Sequence, residues 1–172
     1  MHHRRGPRAL MMRPWPLLAL ILLAASAPAA TVLSVGDGDT IRVSDGPQRL
    51  TIRLACIDAP EMAQAPYGAQ SREHLQQLLP VGSVVDLKVE TKDRYGRTVA
   101  EVFRHGRSIN LAMVLSGQAF AYRHYLTACD GGAYLAAEAR AEQSRLGIRA
   151  VTGGWNAPAI GVMGSGEPGL LG

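Results

Sequence analysis

Three short segments of the 172-residue chain set carboxylates and arginines where a reaction could use them. Gly36-Asp37-Gly38-Asp39-Thr40 puts two carboxylates in a tight turn between β-branched runs. Arg53 is followed by Asp58-Ala59-Pro60-Glu61, which adds two more where an alternating run ends. Asp93-Arg94-Tyr95-Gly96-Arg97 links two later runs. Arg53 stands in an otherwise apolar strand, where an unpaired charge is costly, so it needs a carboxylate or an anionic substrate beside it. Hard divalent cations want oxygen ligands, and two or three carboxylates with a carbonyl suit calcium or magnesium better than zinc. No His or Cys lies near enough in sequence to suggest zinc; His74, His105 and His124 are scattered and read as surface residues. Carboxylates beside arginines have a joint use in phosphoryl chemistry. A cation and guanidinium groups offset charge developing on phosphate oxygens, while a free carboxylate orients or deprotonates water. Taken alone, each segment is ordinary: a turn, a strand end before a helix, a hairpin. Their joint occurrence, in this order, is what points to a site.

The elements that must position these groups follow from residue periodicity. Thr31–Val35, Thr40–Val43 and Thr51–Ile57 read as three strands, with Ser44-Asp45-Gly46-Pro47 as a turn between the last two. Pro66–Leu79 reads as a helix with a Leu75, Leu78, Leu79 stripe, stopped by Pro80 and Gly82. Ser83–Glu90 and Val99–Arg104 resume strand character. Ile109–Leu115 is a short helix ended by Ser116-Gly117, and Ala133–Leu146 a longer one ended by Gly147. Five strands with a helix inserted after the third is the layout of an α+β OB-type barrel with three helices, whose open face commonly receives oligonucleotides or oligosaccharides.

Charge and composition narrow the setting. The formal net charge is +4, but residues 1–30 carry Arg4, Arg5, Arg8 and Arg13 and no acid, and the remainder is formally neutral. Attraction to an anion must therefore be local rather than a property of the bulk charge. The basic stretch, the apolar run Trp15–Ala25 and the small residues Ala25-Ser26-Ala27 and Ala27-Pro28-Ala29 form the three parts of a secretory signal peptide. The run is short of the roughly 20 apolar residues needed to span a bilayer. An uncleaved signal anchor is the alternative. Export to a secreted or periplasmic setting follows, with a mature chain beginning near Ala30 or Thr31. In an oxidising compartment Cys56 and Cys129 favour a disulfide; a metal site or two separate thiols are the other readings. Residues 31–150 form one domain, and 151–172, rich in Gly, Pro, Ala and Ser, read as a disordered tail.

The segments Val35–Thr40, Arg53–Glu61 and Asp93–Arg97, with Ile109-Asn110 to Gly117 after them, resemble the thermonuclease (staphylococcal nuclease-like) family over roughly residues 31–149. The resemblance implies an OB-fold and calcium-dependent hydrolysis of DNA and RNA, with single-stranded or locally unpaired substrate favoured and no stable protein partner. It implies calcium ligation by Asp39, Asp58 and the Ala59 carbonyl, and a water-directing role for Glu61. Arg53 and Arg97 match the arginines that grip the scissile phosphate. Arg94 and Tyr95 fall where the family contacts nucleotide phosphate, and Tyr122 and Tyr125 lie near its base-stacking tyrosine, with the spacing off by about one residue. The stretch Met62–Pro66 is shorter than in some relatives, and Ile148-Arg149 replaces a position where an aromatic residue is frequent. Two competing readings are a non-catalytic nucleic-acid-binding barrel and an exported calcium-stabilised structural or carbohydrate-binding module.

Overall fold

The computed structural model describes residues 29–150. The expected leader and the expected tail lie outside them, apart from Ala29 and Ala30, which open the first strand. In chain order the elements are β1 (Ala29–Val35), β2 (Thr40–Asp45), β3 (Gln48–Leu54), β4 (Ile57–Asp58), α1 (Tyr67–Leu78), β5 (Val84–Lys92), β6 (Thr98–Arg104), β7 (Arg107–Ser108), α2 (Ile109–Leu115), β8 (Phe120–Ala121) and α3 (Gly131–Gln143). Short 3-10 turns cover Arg123–Ala128 and Gly147–Ala150.

The five long strands run in the order β3-β2-β1-β5-β6, and β6 returns to pair with β3. That last pairing is parallel, with Ile52 opposite Thr98, Arg53 opposite Val99 and Leu54 opposite Ala100. It closes the sheet into the expected OB-type barrel and leaves no free edge on those strands. Alternation supplies the core: Ile41 and Val43, Ile52 and Leu54, Ala100 and Val102 all point inward. In β1 the buried residues are Ala30, Val32 and Val35, the last two three apart because a bulge between Val32 and Ser34 resets the alternation.

Two departures from the periodicity matter for function. The third strand does not continue to Ile57. It breaks at Ala55-Cys56, where Cys56 takes a left-handed φ of 64°, and the chain leaves the barrel to form β4. β4 then pairs with β8, Ile57 opposite Ala121 and Asp58 opposite Phe120. Such two-residue strands carry no periodic signature. Secondly, α3 begins two residues earlier than expected, because Asp130 caps it by accepting from the Ala133 N–H at 3.1 Å.

A disulfide joins Cys56 to Cys129, 73 residues apart, and so ties the break after β3 to the start of α3. Closing a loop of that length stabilises the fold by about 4 kcal/mol in the chain-entropy account. Beside it, fully buried Asn110 on α2 satisfies three backbone groups. Its Oδ1 accepts from the Val102 N–H at 2.9 Å, and its Nδ2 donates to the Ala55 carbonyl at 2.9 Å and the Ala100 carbonyl at 3.2 Å. Asn110→Ala strips partners from buried groups and should lower unfolding free energy by about 3 kcal/mol. A denaturant midpoint unchanged from wild type would contradict this.

Candidate active site

Asp39 owes its position to the Gly36–Thr40 turn. The Gly36 N–H donates to the Thr40 carbonyl at 2.8 Å, and the Asp39 N–H to Asp37 Oδ1 at 3.0 Å. Gly38 is required by space: a Cβ there would overlap the Ser71 hydroxyl on α1 and lie 2.7 Å from the Ala59 side chain. The turn is thereby pressed against α1 and the Asp58-Ala59 segment, and Asp39 is buried. Its Oδ2 accepts from the Ala59 N–H at 2.8 Å, which links two of the sequence segments directly.

Arg53 joins the two carboxylates. Its Nη2 lies 3.0 Å from Asp39 Oδ2 and 3.1 Å from Asp58 Oδ1. The expected anionic company is therefore present, and it comes from protein. Nη1 donates to the carbonyls of Leu54 at 2.9 Å and Ile57 at 3.0 Å, just where the strand breaks, so half of the fork is committed to holding that turn.

The other expected residues are placed as follows. Glu61 is exposed on the segment after β4, and its carboxylate is in none of the ion pairs found among the described residues. Arg97 has its ion pair with Asp93 rather than with Asp39 or Asp58. Its Nε donates to Asp93 Oδ2 at 2.7 Å, and both Nη groups are left without a partner among the described residues. It does precede Thr98, which pairs with Ile52, so it sits at the end of the strand beside that of Arg53. Asp93 also accepts from the N–H groups of Tyr95 and Arg97, each at 2.9 Å. Slight burial pushes its carboxyl up, but these donors and the Arg97 charge hold it below its ordinary value. Arg94 and Arg97 flank the exposed Tyr95 ring at 4.8 and 5.6 Å. The Tyr122 N–H donates to the Cys56 carbonyl at 2.8 Å, and its ring lies 5.0 Å from that of Tyr125. Burial, then Tyr125 and Asp58, raise the Tyr122 phenol above its ordinary pKa, with Arg53 opposing. His105 and His124 are exposed as expected, whereas His74 is half-buried and its pKa is lowered by that burial.

Sequence reasoning missed the supports. Ser71 donates to the Gln118 carbonyl at 2.7 Å while touching the Gly38 turn. Buried Glu138 on α3 accepts from the Ala121 N–H at 3.1 Å and from Arg123 and Arg149, each at 2.6 Å. The Arg149 guanidinium also lies over the Phe120 ring at 4.5 Å. Arg149 thus does by ion pairing and stacking what an aromatic residue would do by packing, and it secures β8 behind Asp58. These roles depend on through-space partners and leave no spacing to read.

The electrostatics favour an added positive charge. Burial raises the Asp39 carboxyl from 3.8 to about 7, helped by Asp37 and Asp58 and opposed by Arg53 and the Ala59 N–H. Burial also raises Asp58, again against Arg53. One guanidinium therefore does not fully compensate two carboxylates in this environment. Among the described residues no three His, Cys, Asp or Glu side chains gather about one point. The oxygen-only pair Asp39 and Asp58, with the Ala59 N–H bonded to Asp39, fits a hard dication bound with water rather than a fully protein-made cage.

A closed OB-type barrel with paired carboxylates and a guanidinium at one end defines the architecture of a barrel nuclease. The family model described as staphylococcal nuclease homologue matches residues 51–150. Over 144 residues the chain is 36% identical to an uncharacterized endonuclease of Haemophilus influenzae, covering 82% of this chain and 78% of that one. It is likewise 36% identical over 144 residues to the micrococcal nuclease of Shigella flexneri, covering 76% of this chain and 81% of that one. Protein ParB of Escherichia coli is 35% identical over 150 residues, covering 80% and 83%. The chain belongs to the staphylococcal nuclease family, and its activity class is that of a nuclease.

The raised Asp39 carboxyl has a measurable consequence. Without divalent cation, the folded state holds a proton on Asp39 up to about pH 7, which the unfolded chain releases near 3.8. Folded protein then binds more protons than unfolded between these values, so this contribution to stability is full below the lower one and is lost as pH rises through the upper. Thermal midpoints in chelator should accordingly show a downward slope from Asp39 between pH 4 and 7, and Asp39→Asn should remove it. Parallel pH profiles for the two proteins would contradict the assignment.

Proposed function

We propose that the chain is an exported, calcium-dependent nuclease that hydrolyses phosphodiester bonds of DNA and RNA as a monomer, preferring single-stranded or locally unpaired segments. The observation that carries this reading is the contact of one Arg53 nitrogen with both Asp39 and Asp58 at 3.0 and 3.1 Å. It supports convergence of two distant segments on one point at the barrel end. Asp39, Asp58 and the Ala59 carbonyl would hold calcium there, and the ion when bound would neutralise phosphate charge and polarise the bond to phosphorus.

The protein's own groups divide the remaining work. Glu61, exposed and without an ion-pair partner among the described residues, takes a proton from the water whose oxygen forms the new bond to phosphorus. Arg53, anchored on two carbonyls, keeps a fixed guanidinium beside the carboxylate pair. Arg97, held at Nε by Asp93, offers its two Nη groups to phosphate oxygens, the geometry in which a guanidinium binds an oxyanion in bidentate fashion. The leaving ester oxygen departs as its bond to phosphorus breaks and takes its proton from solvent water. Arg94 and Tyr95 stand beside Arg97 to contact nucleotide phosphate, and the Tyr122–Tyr125 pair offers ring faces on which unpaired bases stack, which supports the single-strand preference.

Export is supported by the leader pattern of the sequence and by a disulfide suited to an oxidising compartment. No helix among the described residues is long and apolar enough to cross a membrane.

Plasmid and single-stranded DNA should be cleaved with calcium and left intact with chelator. Arg97→Ala should reduce kcat by about 10²- to 10³-fold, as loss of a preorganised transition-state donor does. Glu61→Gln should reduce kcat far more than substrate affinity. Cleavage that persists in chelator would overturn the metal dependence, and binding without cleavage would favour a non-catalytic nucleic-acid-binding barrel.

A further inference from the structure

Glu61 stands on neither strand nor helix, yet its backbone is fixed on several sides. Its N–H donates to Gln64 Oε1 at 2.6 Å, and its carbonyl accepts from the Gln64 N–H at 2.8 Å. The Gln64 carbonyl in turn accepts from the Gly68 N–H at 3.1 Å, in the first turn of α1. Gly68 itself lies against the Glu61 backbone. A Cβ there would overlap the Glu61 carbonyl oxygen and come 2.7 Å from its carbon and from Met62 Cα. Gly68 has no left-handed φ to explain it, and glycine is the weakest helix former after proline. What the position requires is the absence of a side chain.

One turn further along α1, Ser71 touches the Gly38 turn that carries Asp39, and Gly38 in turn meets Ala59. Residues three apart lie on one helix face. A single face of α1 therefore contacts the Glu61 segment through Gly68 and the Asp39 turn through Ser71, and it fixes the spacing between them. The short stretch Met62–Pro66 leaves little slack to alter that spacing.

We infer that Gln64 and Gly68 are positioning residues that hold the Glu61 carboxylate at its working distance from Asp39 and Asp58. This rests on the reading of Glu61 as the group that handles the attacking water. Neither residue contacts substrate; both act through the Glu61 backbone.

The test is a pair of double-mutant cycles on the full chain with calcium, reading kcat, KM and calcium affinity on single-stranded DNA. Gly68→Ala should lower kcat by about 100-fold, the scale expected for a displacement of about 1 Å at a reacting group, with KM and calcium affinity changed less than about threefold. Gln64→Ala, which removes one side-chain acceptor and leaves the helix untouched, should lower kcat about tenfold and serves if Gly68→Ala does not fold. In the Glu61→Gln background both penalties should vanish, because the group being positioned is already gone. Penalties that persist undiminished there would overturn the positioning role while leaving Glu61 itself intact. A Glu61→Gln protein with wild-type kcat would instead remove the reading on which the inference stands.

Discussion

A buried and a half-buried carboxylate share one guanidinium at the end of the barrel, and most of the surrounding structure exists to keep them there. Burial alone would drive both acids toward their neutral forms. Arg53 counters that drive, but it can do so only because the strand break at Ala55-Cys56 presents the Leu54 and Ile57 carbonyls to its other nitrogen. The same break turns Asp58 out of the barrel and into pairing with β8. The local conformation that ends a strand and the electrostatics that make a cation site are one arrangement.

This explains how the scaffold divides its labour. Closure of β3 against β6 brings the strand of Arg53 beside the strand that Arg97 precedes. Asn110 satisfies the carbonyl left by the broken strand, and the disulfide holds the same turn covalently from the other side. α1 crosses below, in contact with both the Gly38 turn and the Glu61 segment. Rigid elements thus reach the site from several directions, the condition under which preorganised charge is effective.

Much of this was legible in the residues. Strand alternation in β2 and β3 gave the barrel wall, the D-G-D turn and the D-x-P-E segment gave the paired acids, and Arg53 was conspicuous because a charge among apolar neighbours needs a partner. Less visible was anything whose meaning lies in a distant contact. Cys56 looks like a strand residue, and only its positive φ marks the break. Phe120-Ala121 is too short to alternate. Glu138 sits in α3 as any surface glutamate might, yet it is buried beneath two arginines. Arg97 shows the opposite limit: its type was read readily, but its pairing with Asp93 rather than with Asp39 or Asp58 is a through-space contact that its residue type does not reveal.

The last described turn carries a consequence for how the molecule comes into being. Ile148 is buried in the core, and Arg149 completes the pairing of Glu138 that secures Phe120 and Ala121 behind Asp58. A nascent chain that has not yet emerged past these two residues has its barrel strands but lacks the wedge behind its acidic pair. The acidic pair therefore gains its backing only once the chain through Arg149 is present, after every barrel strand is already available.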